Sequence, residues 1–269
     1  MGTIVSFHAH PDDESIATSG LLARAADAGH RVVLVFATRG ELGTPVDGVL
    51  DEDEQLALRR TAECYESASV IGAHRVEFLG FTDSGMEGDA TNDAPWCFWQ
   101  ADVDHAARRL AIILEEEQAD VITVYDDHGG YGHPDHIQVH RVGRRAAEMA
   151  DVAVVAQSTM NRDHINRARA AAVELGVDLG DDIPPELPDS FGSPESIITH
   201  SVDTRSVIHR KRSSMLAHGS QIGADHFMAA MPLEAFEFVF GTEWFIVDSV
   251  PADPPTVFAD LFEPTAPGG

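Results

Sequence analysis

Along the first 157 residues the hydrophobic positions switch repeatedly between two periods. Short runs rich in β-branched residues recur, and between them apolar residues return every three or four positions. Residues 3–8 predict a first strand. Arg31 to Ala37 predicts a second, and its unbroken apolar run suits a central parallel strand. Val76 to Leu79, Val121 to Tyr125 and Val152 to Val155 predict three more. Helices are expected through Leu21–Ala26, stopped by Gly29, from about Glu52 to Ile71, stopped by Gly72, and from Val103 to Gln118. Strand-helix alternation of this kind predicts an α/β fold, a Rossmann-like, mostly parallel sheet with helices on both faces.

Beyond Gln157 the alternation loosens. Arg162 to Leu175 reads as a helix, 176–195 as a Gly/Pro/Asp-rich connection, Ile197-Ile198 as a strand, Thr204 to Ala217 as a helix and Trp244 to Val247 as a late strand. The expected organisation is one domain: a core over 1–157, a C-terminal elaboration over 158–250, and a loosely held Pro-rich tail over 251–269.

Two polar clusters interrupt the hydrophobic pattern where strands give way to helices, the places where open α/β sheets build their sites. The first is His8-Ala9-His10-Pro11-Asp12-Asp13-Glu14; the second is Gly129-Gly130-Tyr131-Gly132-His133-Pro134-Asp135-His136. A catalytic metal needs about three protein ligands and an open position. His10 and Asp13 stand three residues apart at the end of the first strand, and His136 arrives from the neighbouring turn, which makes a His₂Asp set. Asp12, beside a ligand, is placed to act as general base. Pro134 suits the first helical position, so His133 falls at the N-cap, one turn from His136. As an imidazolium, His133 could stabilise an oxyanion or protonate a leaving amine. Asp135 could orient one of the histidines. A plainer reading makes Asp12, Asp13 and His133 helix caps. His8 and His140 remain alternative ligands. A His₂-carboxylate set suits zinc, with ferrous iron also possible.

Charge narrows the partner. The 269 residues carry a formal net charge of −27, which excludes nucleic acid and anionic membrane surfaces, whose phosphates call for basic patches. A small-molecule substrate is expected instead. Cys64 and Cys97 form no metal or disulfide motif and are expected as free thiols, in keeping with a cytoplasmic protein. No membrane-length apolar run or signal segment is read. The opening Met1-Gly2-Thr3-Ile4-Val5-Ser6 fits a myristoylation pattern, but its apolar residues are needed in the first strand.

The paired motifs His10-Pro11-Asp12-Asp13-Glu14 and Gly132-His133-Pro134-Asp135-His136 resemble those of the PIG-L/LmbE-like deacetylase family. That resemblance implies an LmbE-like fold and zinc-dependent hydrolysis of N-acetylglucosaminyl conjugates, such as GlcNAc-inositol, or of related amides. It implies zinc on His10, Asp13 and His136, Asp12 as base, and His133 as electrostatic catalyst or acid. Gly129-Gly130-Tyr131-Gly132, Asp83-Ser84-Gly85-Met86, Phe191-Gly192-Ser193-Pro194 and His218 with Gln221 resemble the mycothiol-pathway branch, which holds a deacetylase and a conjugate amidase. Within it, Tyr131 matches a tyrosine that aids the tetrahedral intermediate, Asp83 an aspartate on the sugar, and Arg60 an arginine near the substrate. Amidase action on mycothiol S-conjugates, or deacetylation of a secondary-metabolite amino sugar, is the alternative.

Three other classes fit less well. A dinucleotide-binding module would need a Gly-rich turn after the first strand, where this chain has carboxylates. An amidohydrolase-type barrel would need Lys211, the single lysine, at a strand end; it sits in a helical pattern instead. A non-catalytic metal or sugar binder would have no use for Asp12 beside the ligands.

Overall fold

The computed structural model describes residues 1–174, 186–248 and 261. The tail expected at 251–269, apart from Leu261, lies outside the described residues, as do Leu175 at the end of the expected helix and 176–185 of the Gly/Pro/Asp-rich connection. Among the described residues no helix is long and apolar enough to cross a membrane.

Seven strands form one mixed sheet: β1 (Thr3–His8), β2 (Arg31–Phe36), β3 (Arg75–Phe78), β4 (Val121–Tyr125), β5 (Val154–Thr159), β6 (His200–Asp203) and β7 (Thr242–Val247). Their spatial order is β3-β2-β1-β4-β5-β7-β6. The first five run parallel, and β7 pairs antiparallel with both β5 and β6. Residue 157, where the hydrophobic pattern changes, falls inside β5. The elaboration therefore continues the core's sheet.

Ten helices accompany the sheet among the described residues. The first five are α1 (Asp13–Ala17), α2 (Ser19–Asp27), α3 (Leu56–Ile71), α4 (Val103–Glu117) and α5 (Gly129–Gly132). The rest are α6 (Pro134–Ala150), α7 (Arg162–Glu174), α8 (Ile208–Ala217), α9 (Phe227–Ala230) and α10 (Leu233–Phe240). Alternation along the strands sorts the core in two. Val5, Phe7, Val33 and Val35 face α4 and α6, while Ile4, Val32, Leu34 and Phe36 face α2 and α3. Gly29 and Gly72, which follow α2 and α3, both have positive φ, and Asp102 caps the start of α4 by accepting the His105 N–H at 2.8 Å.

Two expectations are corrected. Ile197 and Ile198 are not a strand: Glu195–Ile197 forms a 3₁₀ turn after Pro194, and β6 starts at His200. An apolar pair reads as a strand by pattern alone, but the proline starts a turn there. The helix expected from about Glu52 begins at Leu56, because Glu54 folds back to accept the Asp51 N–H at 2.9 Å and closes a turn first.

The elaboration is fastened to the core by a buried ion pair. Lys211 of α8 donates to Glu243 of β7 at 2.5 Å and to the Ile16 carbonyl at 2.7 Å. Glu243 also accepts the Gly20 and Leu21 N–H groups, at 2.8 and 2.7 Å, so a carboxylate from the far end of the chain caps α2. Both side chains are essentially inaccessible. The open sheet and this placement of Lys211 remove the barrel reading. Removing one partner leaves a buried charge without its counter-ion, so Lys211→Met is expected to cost about 3–5 kcal/mol in urea unfolding. Glu243→Gln, which keeps some of the capping, is expected to cost less.

Candidate active site

The sheet order reverses between β1 and β4, and the two polar clusters follow those strands. Such a switch point opens a crevice above the strand ends. Here it brings residues about 120 positions apart into one buried site.

Asp12 follows β1 with φ of 111°, a conformation costly for a residue with a side chain. Its N–H is held by Glu14 Oε2 at 3.0 Å, and its carboxylate lies 3.1 Å from the Arg60 guanidinium. Arg60 is buried and also donates to the Gly40 and Pro11 carbonyls. Gly40, at φ 62°, allows this approach: a Cβ there would stand 2.4 Å from the guanidinium carbon. Arg60 is thus a partner for Asp12 that the sequence alone did not indicate. Burial raises the Asp12 carboxyl above its ordinary pKa, against the opposing effect of Arg60.

Three donors converge beside it. One ligand atom each from His10, Asp13 and His136 lies within 4.8 Å of the others. Asp13 is pinned by the His10 N–H at 2.8 Å, and its oxygens lie 3.4 Å from His10 Nδ1 and 3.3 Å from His136 Nε2. Burial opposes its ionisation, but His136 and His10 hold its carboxyl well below the usual range. His136 stacks on Tyr125, with centroids 4.3 Å apart, and its buried Nε2 has no hydrogen-bond partner. A buried ring nitrogen left with a free lone pair next to a carboxylate is what a metal ligand requires.

His10 also belongs to an overlapping group with Asp83 and His133. Its Nε2 is already engaged, 3.1 Å from Asp135 Oδ2 and 3.6 Å from Asp83 Oδ1. Asp135 is in turn fixed by the Ser84 N–H at 3.0 Å and by the Ser84 hydroxyl. A carboxylate holding one imidazole nitrogen while the other is free is the usual support of a metal-binding histidine. That favours the Nδ1 side, with Asp13 and His136. Burial works against charge on His10, yet Asp13, Asp135 and Asp83 outweigh it and raise its pKa well above the ordinary value. Four carboxylates and one guanidinium line this spot, which favours a cation there.

His133 caps α6: its Nδ1 accepts the Asp135 N–H at 3.1 Å. That bond uses the Nδ1 lone pair, so the neutral ring carries its hydrogen on Nε2. Burial, with His10 and His136 close by, lowers its pKa to about 4. The imidazolium expected from sequence is thus replaced by a neutral hydrogen-bond donor. Tyr131 stands half-exposed, 5.2 Å from the His136 ring and 6.3 Å from the His133 ring, centre to centre. Its loop needs Gly129, at φ 67°, where a Cβ would meet His136 Cβ at 2.7 Å. The loop is clipped to Gly192, whose N–H reaches the Gly130 carbonyl at 2.7 Å, and to buried Asp126, which accepts the Gly130 N–H at 2.6 Å.

Asp83 accepts the Gly85 and Leu42 N–H groups at 2.9 and 3.2 Å and faces His10. The structure does not bring His8 or His140 into the cluster. His8 bonds Ser6 and the Tyr125 hydroxyl, and His140 the Tyr125 carbonyl. Sequence reasoning gave no role to Glu14, Ser84 or Asp126. It also missed the buried pair of Glu14 with His218, 2.7 Å apart and 204 residues apart in sequence. The acidic run 12–14 was the one available signal for Glu14.

A cavity of about 320 Å³ opens beside Asp13, Tyr131 and His136 and runs toward β7. A hollow of about 240 Å³ ringed by Arg144, Glu148, Asp151 and Asp248 lies at the opposite end of α6 and shares no residue with the site.

Residues 5–147, more than half of the chain, match the sequence profile of the PIG-L family, described as GlcNAc-PI de-N-acetylase. The chain belongs to that family. It is 36% identical over 256 residues to a 1D-myo-inositol 2-acetamido-2-deoxy-alpha-D-glucopyranoside deacetylase from Thermobifida fusca, covering 88% of this chain and 90% of that one. A relative of the same name from Acidothermus cellulolyticus is 37% identical over 264 residues, covering 91% and 88%. Among solved structures, N,N'-diacetylchitobiose deacetylase from Pyrococcus horikoshii is similar in fold. Its TM-score is 0.60 at 20% identity, over 91% of this chain and 83% of that one. Both polar clusters fall within the PIG-L match.

The geometry makes a discriminating prediction. Dialysed against a divalent metal, the protein is expected to retain one ion per chain by elemental analysis, and His136→Ala to retain none. Asp135→Ala should weaken binding about 10–100-fold by freeing His10. Asp83→Ala and His133→Ala should keep the stoichiometry. Loss in those two with retention in His136→Ala would put the ion on the other side of His10.

Proposed function

We propose that this PIG-L protein is a metal-dependent hydrolase that removes the N-acetyl group from an N-acetylglucosaminyl conjugate, with GlcNAc-inositol as the leading substrate. The observation that carries the reading is the convergence of His10, Asp13 and His136 donors within 4.8 Å, beside Asp12. The names of the curated relatives support the choice of substrate. The unpaired, buried thiols of Cys64 and Cys97 are in keeping with a cytoplasmic setting.

His10, Asp13 and His136 would hold the metal. When bound, zinc, or ferrous iron on the same ligand types, supplies Lewis-acid charge that polarises the amide carbonyl and acidifies water. The chain's own groups do the rest. Asp12, with its proton affinity raised by burial, accepts a proton from the attacking water. As the water oxygen bonds to the carbonyl carbon, negative charge grows on the carbonyl oxygen. His133 Nε2–H and the Tyr131 hydroxyl donate to that oxygen as fixed dipoles. The carbon–nitrogen bond then breaks, and the proton held by Asp12 passes to the departing nitrogen. Acetate and a free amine result. A neutral His133 makes Asp12 the carrier of the proton in both directions. Asp83 and Arg60 lie on the Asp12 side of the cluster, where the sugar would sit.

Acetate release from GlcNAc-inositol, N-acetylglucosamine and a chitobiose tests the reading. Asp12→Asn is expected to lose about 10²- to 10⁴-fold in kcat while still binding one metal. His133→Ala should lose about 10²- to 10³-fold, and His133→Asn, which can still donate, should recover about tenfold of that loss. Equal losses in the two His133 variants would favour a proton-transfer role for His133. Full turnover in Asp12→Asn would remove the mechanism.

A further inference from the structure

The cavity beside the cluster is divided from the polar half of the site. Its mouth is formed by Asp13, Tyr131 and His136, and its walls by Ile165, Phe191, Val239, Phe240 and Trp244. Asp12, Arg60, Asp83, His10 and His133 are not part of its lining. Polar side chains line it too, Ser158, Thr159, Asn161, His164 and Thr242. The Thr159 hydroxyl is spent on Asp126, and Lys211 and Glu243 are spent on each other and on backbone groups.

An N-acyl amino sugar has one apolar end, the acyl chain. Its hydroxyls need hydrogen-bonding partners, which the polar half supplies in number and the mostly apolar walls at only a few positions. With the reacting carbonyl between Tyr131 and the metal ligands, the sugar nitrogen turns toward Asp12 and the acyl substituent toward the cavity. An acetyl methyl is no larger than a water, whose share of liquid volume is about 30 Å³. It would fill a small part of the roughly 320 Å³ present.

We propose that this cavity is an acyl-chain chamber, and that beside the N-acetyl substrate the enzyme also accepts, and binds more tightly, amino sugars N-acylated with unbranched chains of about four to eight carbons. The inference rests on the amide-hydrolase reading of the same site and names its substrate class. Each methylene moved from water into an apolar wall is worth about fourfold in affinity, so two well-placed methylenes exceed tenfold.

The experiment compares N-acetyl-, N-butyryl-, N-hexanoyl- and N-decanoyl-glucosaminyl-inositol with the zinc-loaded full chain. KM for the hexanoyl compound is expected to be at least tenfold below that for the acetyl compound, with the decanoyl compound weaker again as the chamber overfills. Val239→Trp, at a half-exposed position on the rim, and Ile165→Trp should each cut the hexanoyl-over-acetyl preference at least tenfold. Calorimetric binding of the same amides to metal-free Asp12→Asn gives a readout independent of turnover, with the same order of affinities expected. Equal or weaker affinity for hexanoyl than for acetyl in that assay overturns the chamber, as does an unchanged preference in both tryptophan variants. Turnover of acetyl alone likewise overturns the chamber and leaves the deacetylase reading standing. Tight, Val239→Trp-sensitive hexanoyl binding with no hydrolysis of any member supports the chamber and overturns the hydrolase reading.

Discussion

Negative charge concentrated around one buried imidazole is the constraint on which the site depends. Asp13, Asp135 and Asp83 all lie within 3.6 Å of a His10 ring nitrogen, and Asp12 stands beside them. Such a group of carboxylates is unfavourable out of water unless something positive joins it. Arg60 answers part of the charge at Asp12. Hydrogen bonds answer another part: Ser84 on Asp135, Gly85 and Leu42 on Asp83, and the His10 N–H on Asp13. What is left over is aimed at the gap between His10 Nδ1, Asp13 and His136. Fixed dipoles and a fixed ion pair thus define where a cation belongs and which carboxylate stays available for protons.

Holding that arrangement requires strain at Asp12, and the strain is supported from distant parts of the chain. The left-handed backbone at Asp12 is clamped by Glu14, whose other oxygen meets His218 in a pair wholly closed to solvent. Burial opposes charge on His218, but Glu14 beside it raises its pKa above the ordinary value. His218 follows α8, and α8 also carries Lys211, the anchor to β7 and α2. The C-terminal elaboration therefore bears on the segment around Asp12 at two points. This explains why a segment with weak periodicity is built into the sheet: without it the α1–α2 junction has no cap and Glu14, the clamp on Asp12, no His218.

Much of this was legible in the chain before any coordinates. Strand β2 announces itself as an unbroken apolar run, and β1 and β4 as apolar runs interrupted by one small hydroxyl residue, Ser6 or Thr123, because buried parallel strands have no solvent face to mark with charged residues. The two motifs were legible because His10, Asp13 and His136 are chemically conspicuous and each follows a strand. The protonation of His133 was not legible. It follows from two rings at about 5 Å and a backbone hydrogen bond, which exist only after β1 and β4 become neighbours. The pairings of Asp12 with Arg60 and of Glu14 with His218 link elements far apart in sequence, and no periodicity encodes such a partner. Ile197-Ile198 misled for the opposite reason: two apolar residues satisfy the strand pattern, and the turn at Pro194 overrides it.

The same topology explains why the site has two unlike halves. On one flank, β2 and β3 send loops over the strand ends that are rich in glycine and acid, bringing Gly40 and Asp83 to the His10 side. On the other flank the sheet stops being parallel. β7 runs against β5, so its Trp244 end, rather than its exit, comes to the level of the His10, Asp13 and His136 cluster. An antiparallel strand needs no crossover helix above that edge. The space is covered instead by α7, α10 and Phe191, which apart from His164 present apolar side chains, Ile165, Val239, Phe240 and Phe191, that cannot hydrogen-bond a sugar. Reversing one strand thus gives the cleft a wet side and a dry side, with the cluster of His10, Asp13 and His136 at their boundary. An amide placed across that boundary has its polar amine half and its apolar acyl half sorted before any chemistry begins, and the group that binds best on the dry side is set by how much of that volume it fills.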